Sequence, residues 1–173
     1  MVQLETPFPG LWLFRLSPFS DERGAFLKLF SDPITQNVGI NFTPEEIFTS
    51  SSHVNVIRGM HYQAPPFSHS KLVTCLRGRV LDVVVCIDSK KENYLQTFSV
   101  ELSETNNISL LMDDSYAHGF LSLENNSILH YVTTCRHSPA HDRGILWSSI
   151  DFDWPIDSPI LSSRDMNHPP IFS

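Results

Sequence analysis

The chain has 173 residues, 41% hydrophobic and 18% charged, a composition that supports one folded domain (residues 1–173) with a buried core and excludes a disordered chain. A net charge of −7 excludes non-specific nucleic-acid binding, while a local basic pocket for an anionic substrate stays compatible with it. No signal-peptide pattern is seen at the N-terminus and no apolar run reaches membrane-spanning length, so a cytoplasmic protein without membrane contact is expected.

Strand-like runs follow one another in chain order: Leu11–Leu16, Ala25–Phe30, Ile47–Ser51, Val56–Gln63 and Lys71–Leu76. Then come Val80–Ile87, Thr97–Leu102, Ile108–Met112, Gly119–Leu123 and Ile128–Thr134. Turn signals separate them, among them Asp21-Glu22-Arg23-Gly24, Pro65-Pro66, Arg77-Gly78, Ser103–Asn107 and Asn125-Asn126. Many short strands at this spacing predict an all-β sandwich or barrel. In the run after Gly78, Leu81, Val83, Val85 and Ile87 share one face and Val80, Asp82, Val84 and Cys86 the other. Apolar residues on both faces place that strand between layers, with Asp82 the exception. Pro44-Glu45-Glu46 opens at most a turn. Residues 155–173, rich in Pro and Ser, predict an irregular tail with one helical turn wrapping the sandwich. Cys75, Cys86 and Cys135 are widely spaced and read as buried thiols of a reducing compartment.

The chemistry is concentrated around Arg58-Gly59-Met60-His61-Tyr62-Gln63, with Lys71 ten residues after His61. An imidazole and an ammonium on neighbouring strands suit proton removal beside a carbonyl: the imidazole takes the proton and the ammonium stabilises the enolate oxygen. Gln63 stands two after His61, where a metal-binding His-x-His would need histidine. Local spacing assembles no set of first-row-metal ligands, so no metal and no cofactor is expected.

These motifs, with Ala117-His118-Gly119-Phe120, Tyr131-Val132-Thr133-Thr134, His141–Trp147, Asp153-Trp154-Pro155 and Leu161–Asp165, run in an order that resembles the dTDP-4-dehydrorhamnose 3,5-epimerase family. The resemblance implies a cupin-like jelly-roll β-sandwich. It also implies a cofactor-independent isomerase that inverts C3, C5 or both in a nucleotide-linked 4-keto-6-deoxy sugar, in deoxysugar biosynthesis for lipopolysaccharide O-antigen or a similar glycan. It makes His61 the base, Asp165 the carboxylate behind it, Tyr131 the acid on the opposite face and Lys71 the cation at the C4 oxygen. Arg23, Phe26, Arg58, Gln63, His118 and Arg164 match substrate-binding positions, and Asp142 stands where the family usually has Glu. Lys28 replaces a substrate-contacting carboxylate. Glu46-Ile47-Phe48 replaces a Gln-x-Asn that helps read the nucleotide, and Arg136-His137 replaces paired tyrosines. A dTDP- or CDP-linked sugar is the expected substrate, with Phe26 or Phe48 stacking on the base. A homodimer is expected, Leu11–Leu16 adding to a partner's sheet. Two alternatives stay open: a metal-dependent cupin enzyme, and a sugar-nucleotide-binding protein without catalysis.

Overall fold

The computed structural model describes residues 2–31, 39 and 42–171. Among them thirteen strands run as β1 (Val2–Leu4), β2 (Leu11–Arg15), β3 (Phe19–Asp21), β4 (Gly24–Phe26), β5 (Glu46–Ser52), β6 (Ile57–Gln63), β7 (Lys71–Arg77) and β8 (Arg79–Cys86). They continue as β9 (Thr97–Ser103), β10 (Ile108–Met112), β11 (Tyr116–Ser122), β12 (Ser127–Thr133) and β13 (Asp142–Gly144). One short helix, α1 (Ser163–Met166), lies in the tail. The strands pair antiparallel as a six-stranded sheet, β1-β2-β10-β7-β12-β5, and a five-stranded sheet, β13-β6-β11-β8-β9, with β3 and β4 forming a separate hairpin. This is the expected cupin-like all-β sandwich.

The alternation along β8 sorts its side chains between two cores. Val80, Val84 and Cys86 join Leu13, Val73, Leu110 and Leu129 between the sheets. Val83 and Val85 point the other way, into a cluster with Ile145, Ile150 and Trp154. The polar tail therefore has an apolar side that covers the five-stranded sheet, which is why β8 is apolar on both faces. A third cluster coats the outside of the six-stranded sheet: Phe14, Leu72, Leu111 and Val132 meet Leu27, Leu29 and Phe30.

Several expectations change in detail. The run Ala25–Phe30 is a strand only to Phe26, because its later apolar residues pack as a cover instead of pairing. β1, β3 and β13 have three residues each, too short to show a period of two. Strand β2 is hydrogen-bonded to β1 on one side and β10 on the other, so Leu11–Leu16 has no free edge to offer a partner's sheet. Cys75 and Cys86 are buried as expected, but Cys135 is only half-buried and lines the central cleft.

One irregularity aims the site. β11 pairs with β6 through His118↔His61 and Phe120↔Arg58, with a register shift between them. Gly59 and Met60 thus oppose the single residue Gly119, a bulge. The slip lets Arg58, His61 and Gln63 all reach the same cleft. The bulge depends on glycine at both places. Gly59 has φ +136°, and a Cβ there would stand 2.5 Å from Gly119 Cα. A Cβ on Gly119 would stand 2.6 Å from Met60 Sδ and 2.9 Å from the Arg58 carbonyl oxygen. We expect Gly119→Ala to destabilise the fold by about 1–3 kcal/mol, the usual cost of overpacking, read as a lower urea midpoint with unchanged slope.

Candidate active site

The two sheets open at one end into a cleft of about 290 Å³. The six-stranded sheet supplies one wall. In its register Tyr131 faces Phe48 on β5 and Val73 on β7, and Thr133 faces Glu46 and Lys71. Strand periodicity therefore turns Glu46, Phe48, Ser50, Lys71, Tyr131 and Thr133 to one face, and all of them line the cleft. The five-stranded sheet supplies the other wall, with Arg58, His61 and Gln63 from β6 and His118 from β11. His61 and Tyr131 stand on opposite walls.

His61 is tied to the tail. Its Nε2 lies 2.6 Å from Asp165 Oδ1, across 104 residues of sequence. Asp165 is buried in α1, where its own N–H donates to the Ser162 Oγ that caps the helix. Burial works against the Asp165 charge, but the hydrogen bonds from His61 and Ser162 outweigh it and hold the carboxyl below the usual range. A carboxylate so placed fixes the imidazole tautomer and stabilises imidazolium once a proton arrives.

Tyr131 is buried, stacked on Phe48 with ring centroids 4.7 Å apart, and 3.1 Å from Ser50 Oγ. Burial pushes its phenol well above the ordinary range, so it keeps its proton until a stronger base forms beside it. Removal from water pushes the Lys71 ammonium down to about 8, against the pull of Asp82 and Asp142. It remains largely charged at neutral pH. Behind these groups His118 Nε2–H donates to Asp82 Oδ2 at 2.8 Å. Burial pushes the His118 imidazole down, so it is a neutral donor holding the fully buried Asp82.

The other expected residues divide. Arg58 lines the cleft, with Nε 3.0 Å from Ser52 Oγ and Nη2 3.1 Å from the Ser51 carbonyl oxygen. Arg164 and Asp142 sit together on the rim, paired at 2.7 Å, and Asp142 also accepts from His137 at 3.0 Å. Burial opposes the Asp142 charge, and these two partners overcome it. Gln63 lines the cleft but its amide is engaged internally. It donates to the Phe67 and Arg136 carbonyl oxygens and accepts from the Ser138 N–H, clamping two loops. Arg23, Phe26 and Lys28 lie outside the cleft lining among the described residues: Arg23 pairs with Asp21 on the exposed β3–β4 hairpin.

Sequence reasoning missed Ser50, His69, His137 and His168 as site residues. Only the sheet register brings Ser50 to Tyr131. His168 joins His61 and Asp165 as a group of three metal-capable side chains, an arrangement that local spacing did not contain.

The family model for dTDP-4-dehydrorhamnose 3,5-epimerase matches residues 5–172. The chain belongs to this family. It is 35% identical over 167 residues to the dTDP-4-dehydrorhamnose 3,5-epimerase of Shigella flexneri, covering 95% of this chain and 92% of that one. The Bacillus anthracis dTDP-4-dehydrorhamnose 3,5-epimerase, crystallised with TDP and PPi, superposes with a TM-score of 0.94 at 30% identity, covering 98% of both chains. A 3′-monoepimerase from Streptomyces bikiniensis, in complex with dTDP-quinovose, gives 0.90 at 27% identity, covering 96% of this chain and 86% of that one. The family is one of isomerases.

His69 carries a testable electrostatic signature. Burial and the nearby Lys71 charge push its imidazole down to about 4, and its Nδ1 accepts from the Gln63 amide at 3.1 Å. The unfolded chain binds a proton at position 69 below its ordinary value of about 6.5, and the folded chain does not until about 4. Between those values the unfolded state holds more protons, so stability rises with pH and is lost as pH falls. His69→Gln is expected to flatten the curve of unfolding free energy in that window, measured by urea denaturation at stepped pH.

Proposed function

We propose that the cleft epimerises a nucleotide-linked 4-keto-6-deoxy sugar without a cofactor, inverting C3, C5 or both. The placement of His61 and Tyr131 on facing sheets carries this reading. Inversion beside a ketone needs a proton taken from one face and another returned to the opposite face. A single group on one wall returns the same stereochemistry.

In this mechanism Asp165 holds the His61 proton on Nε2, so Nδ1 takes the proton from the carbon next to the C4 carbonyl, and the resulting imidazolium is stabilised by Asp165. The electron pair moves to the C4 oxygen as an enolate, stabilised by the Lys71 ammonium. Tyr131 then donates its phenolic proton to the far face. A high phenol pKa supports the order of events, because the phenol stays protonated until the strongly basic enolate carbon is beside it. Desolvation makes Lys71 more effective, since a charge in a water-poor cleft acts at shorter effective screening. Arg58 is the anchor for the diphosphate, its guanidinium already oriented by Ser51 and Ser52. The nucleotide is dTDP, with CDP the rival, in a deoxysugar pathway.

Incubation with dTDP-4-keto-6-deoxyglucose in heavy water tests the chemistry. Wild-type protein is expected to incorporate solvent deuterium at C3, C5 or both, with no added metal. His61→Ala is expected to lose about 10²–10⁴-fold in exchange while keeping its melting temperature, since the side chain is partly exposed in the cleft. Tyr131→Phe is expected to retain exchange and lose inversion. Wild-type turnover by His61→Ala refutes the mechanism.

The same reading requires a second copy of the chain. Arg23 and Phe26 are substrate positions in the resemblance, yet they ride on a hairpin outside this chain's own cleft lining, with Phe19 and Phe26 each 65% exposed. We propose a homodimer in which each hairpin reaches over the partner's cleft, and Arg23 joins Arg58 of that cleft on the diphosphate. Arg23→Ala and His61→Ala, each inactive alone, are then expected to complement when refolded together. About a quarter of wild-type activity returns, because half the dimers are mixed and one of their two sites carries neither change.

A further inference from the structure

Asp165 has two histidines, and the proposed mechanism uses one. His168 Nε2 lies 3.3 Å from the same Oδ1 that binds His61, and the two imidazole rings meet edge-on with centroids 5.6 Å apart. The His168 side chain is nine-tenths buried. Its Nε2 has no hydrogen-bond partner among the described residues, because Asp165 lies off the axis of a hydrogen bond. A buried imidazole nitrogen without a partner is costly, and a protein retains one most readily where another ligand completes it.

The backbone holds His168 there. Leu146 N–H donates to the Pro169 carbonyl oxygen at 2.8 Å, fixing the residue after it to the end of β13. Gly144, paired with His61 in the β6–β13 register, leaves room for the ring: a Cβ on Gly144 would stand 2.2 Å from His168 Nε2. Any other residue at 144 would displace the imidazole.

We infer that His61, Asp165 and His168 form a binding site for a transition-metal ion of the Zn²⁺ type, and that the bound ion inhibits the enzyme. The three ligand atoms already lie within 4.8 Å of one another. Two imidazoles and a carboxylate are a donor set suited to Zn²⁺. With metal–ligand bonds of about 2.0–2.1 Å, tetrahedral neighbours stand about 3.3 Å apart. The Asp165–His168 separation is 3.3 Å, and the His61–Asp165 hydrogen bond must open from 2.6 Å. Coordination replaces that bond. His61 remains about a third exposed toward the cleft, so the fourth position opens to water. Coordination through Nε2 leaves the imidazole proton on Nδ1, where proton abstraction needs a lone pair, and the ion separates the base from its carboxylate. Inhibition rests on the epimerase reading above; binding does not.

The experiment uses tag-free full-length protein stripped of metal. Calorimetric titration with Zn²⁺ is expected to show one ion per chain, and Co²⁺ is expected to develop the visible absorption of a four-coordinate ion. His168→Ala and His168→Gln are expected to weaken Zn²⁺ binding by about tenfold or more, in keeping with loss of a direct ligand, with melting curves confirming that both variants fold. Zn²⁺ inhibition, taken as the ratio to each variant's own metal-free rate, is expected to weaken in parallel and to reverse with chelator. Absence of saturable Zn²⁺ uptake by the wild type overturns the inference, as does uptake equal in the wild type and both His168 variants. If Zn²⁺ binds through His168 but the protein exchanges no deuterium into the keto sugar, the metal site stands and the epimerase reading fails.

Discussion

The close approach of β6 and β11 at Gly59 and Gly119 is the constraint on which the site depends. Backbone atoms of the two strands come so near that neither position has space for a side chain. The resulting slip breaks strict alternation along β6, so Arg58 and His61, three residues apart, both reach the cleft. A regular strand would turn one of them to the opposite face. The same slip sets His118 directly across from His61, where it can hold Asp82. A guanidinium and an imidazole are thus brought into one cleft by two missing side chains.

The cleft manages charge by pairing. Asp82 is fully buried and is held by a neutral His118. Asp165 is held by His61 and a helix cap, and Asp142 by Arg164 and His137. Lys71 is the exception: it lines the cleft on the strand that carries no acidic neighbour in register, opposite Thr133 and Met112. Burial lowers its pKa, against the pull of Asp82 and Asp142. An ammonium that has given up part of its hydration interacts more strongly with negative charge brought beside it.

The tail joins architecture to chemistry. Ile150 and Trp154 seal the outer face of the five-stranded sheet, and α1 follows a few residues on, delivering Asp165 to His61. Packing of the tail therefore sets the orientation of the His61 imidazole. It also sets the position of His168, which stands beside the same Asp165 oxygen that binds His61.

The sequence by itself determined the sandwich, because short runs rich in β-branched and apolar residues such as Val80–Ile87, separated by turn signals, dictate strands whose faces must be buried. It also determined that His61, Lys71, Tyr131 and Asp165 belong to one site, since their motifs match a family in order. Tertiary structure decided what each side chain faces. Register placed Ser50 and Phe48 against Tyr131, and no local pattern encodes a partner 81 residues away. It engaged the Gln63 amide with loop carbonyls, left Arg23 and Phe26 on an exposed hairpin, and denied β2 a free edge. It brought His168 beside His61 and Asp165, joining a strand to a tail that local spacing keeps apart. The reason is general: side-chain type and periodicity are local properties, while pairing, desolvation and ligand geometry arise only when distant segments share one small volume.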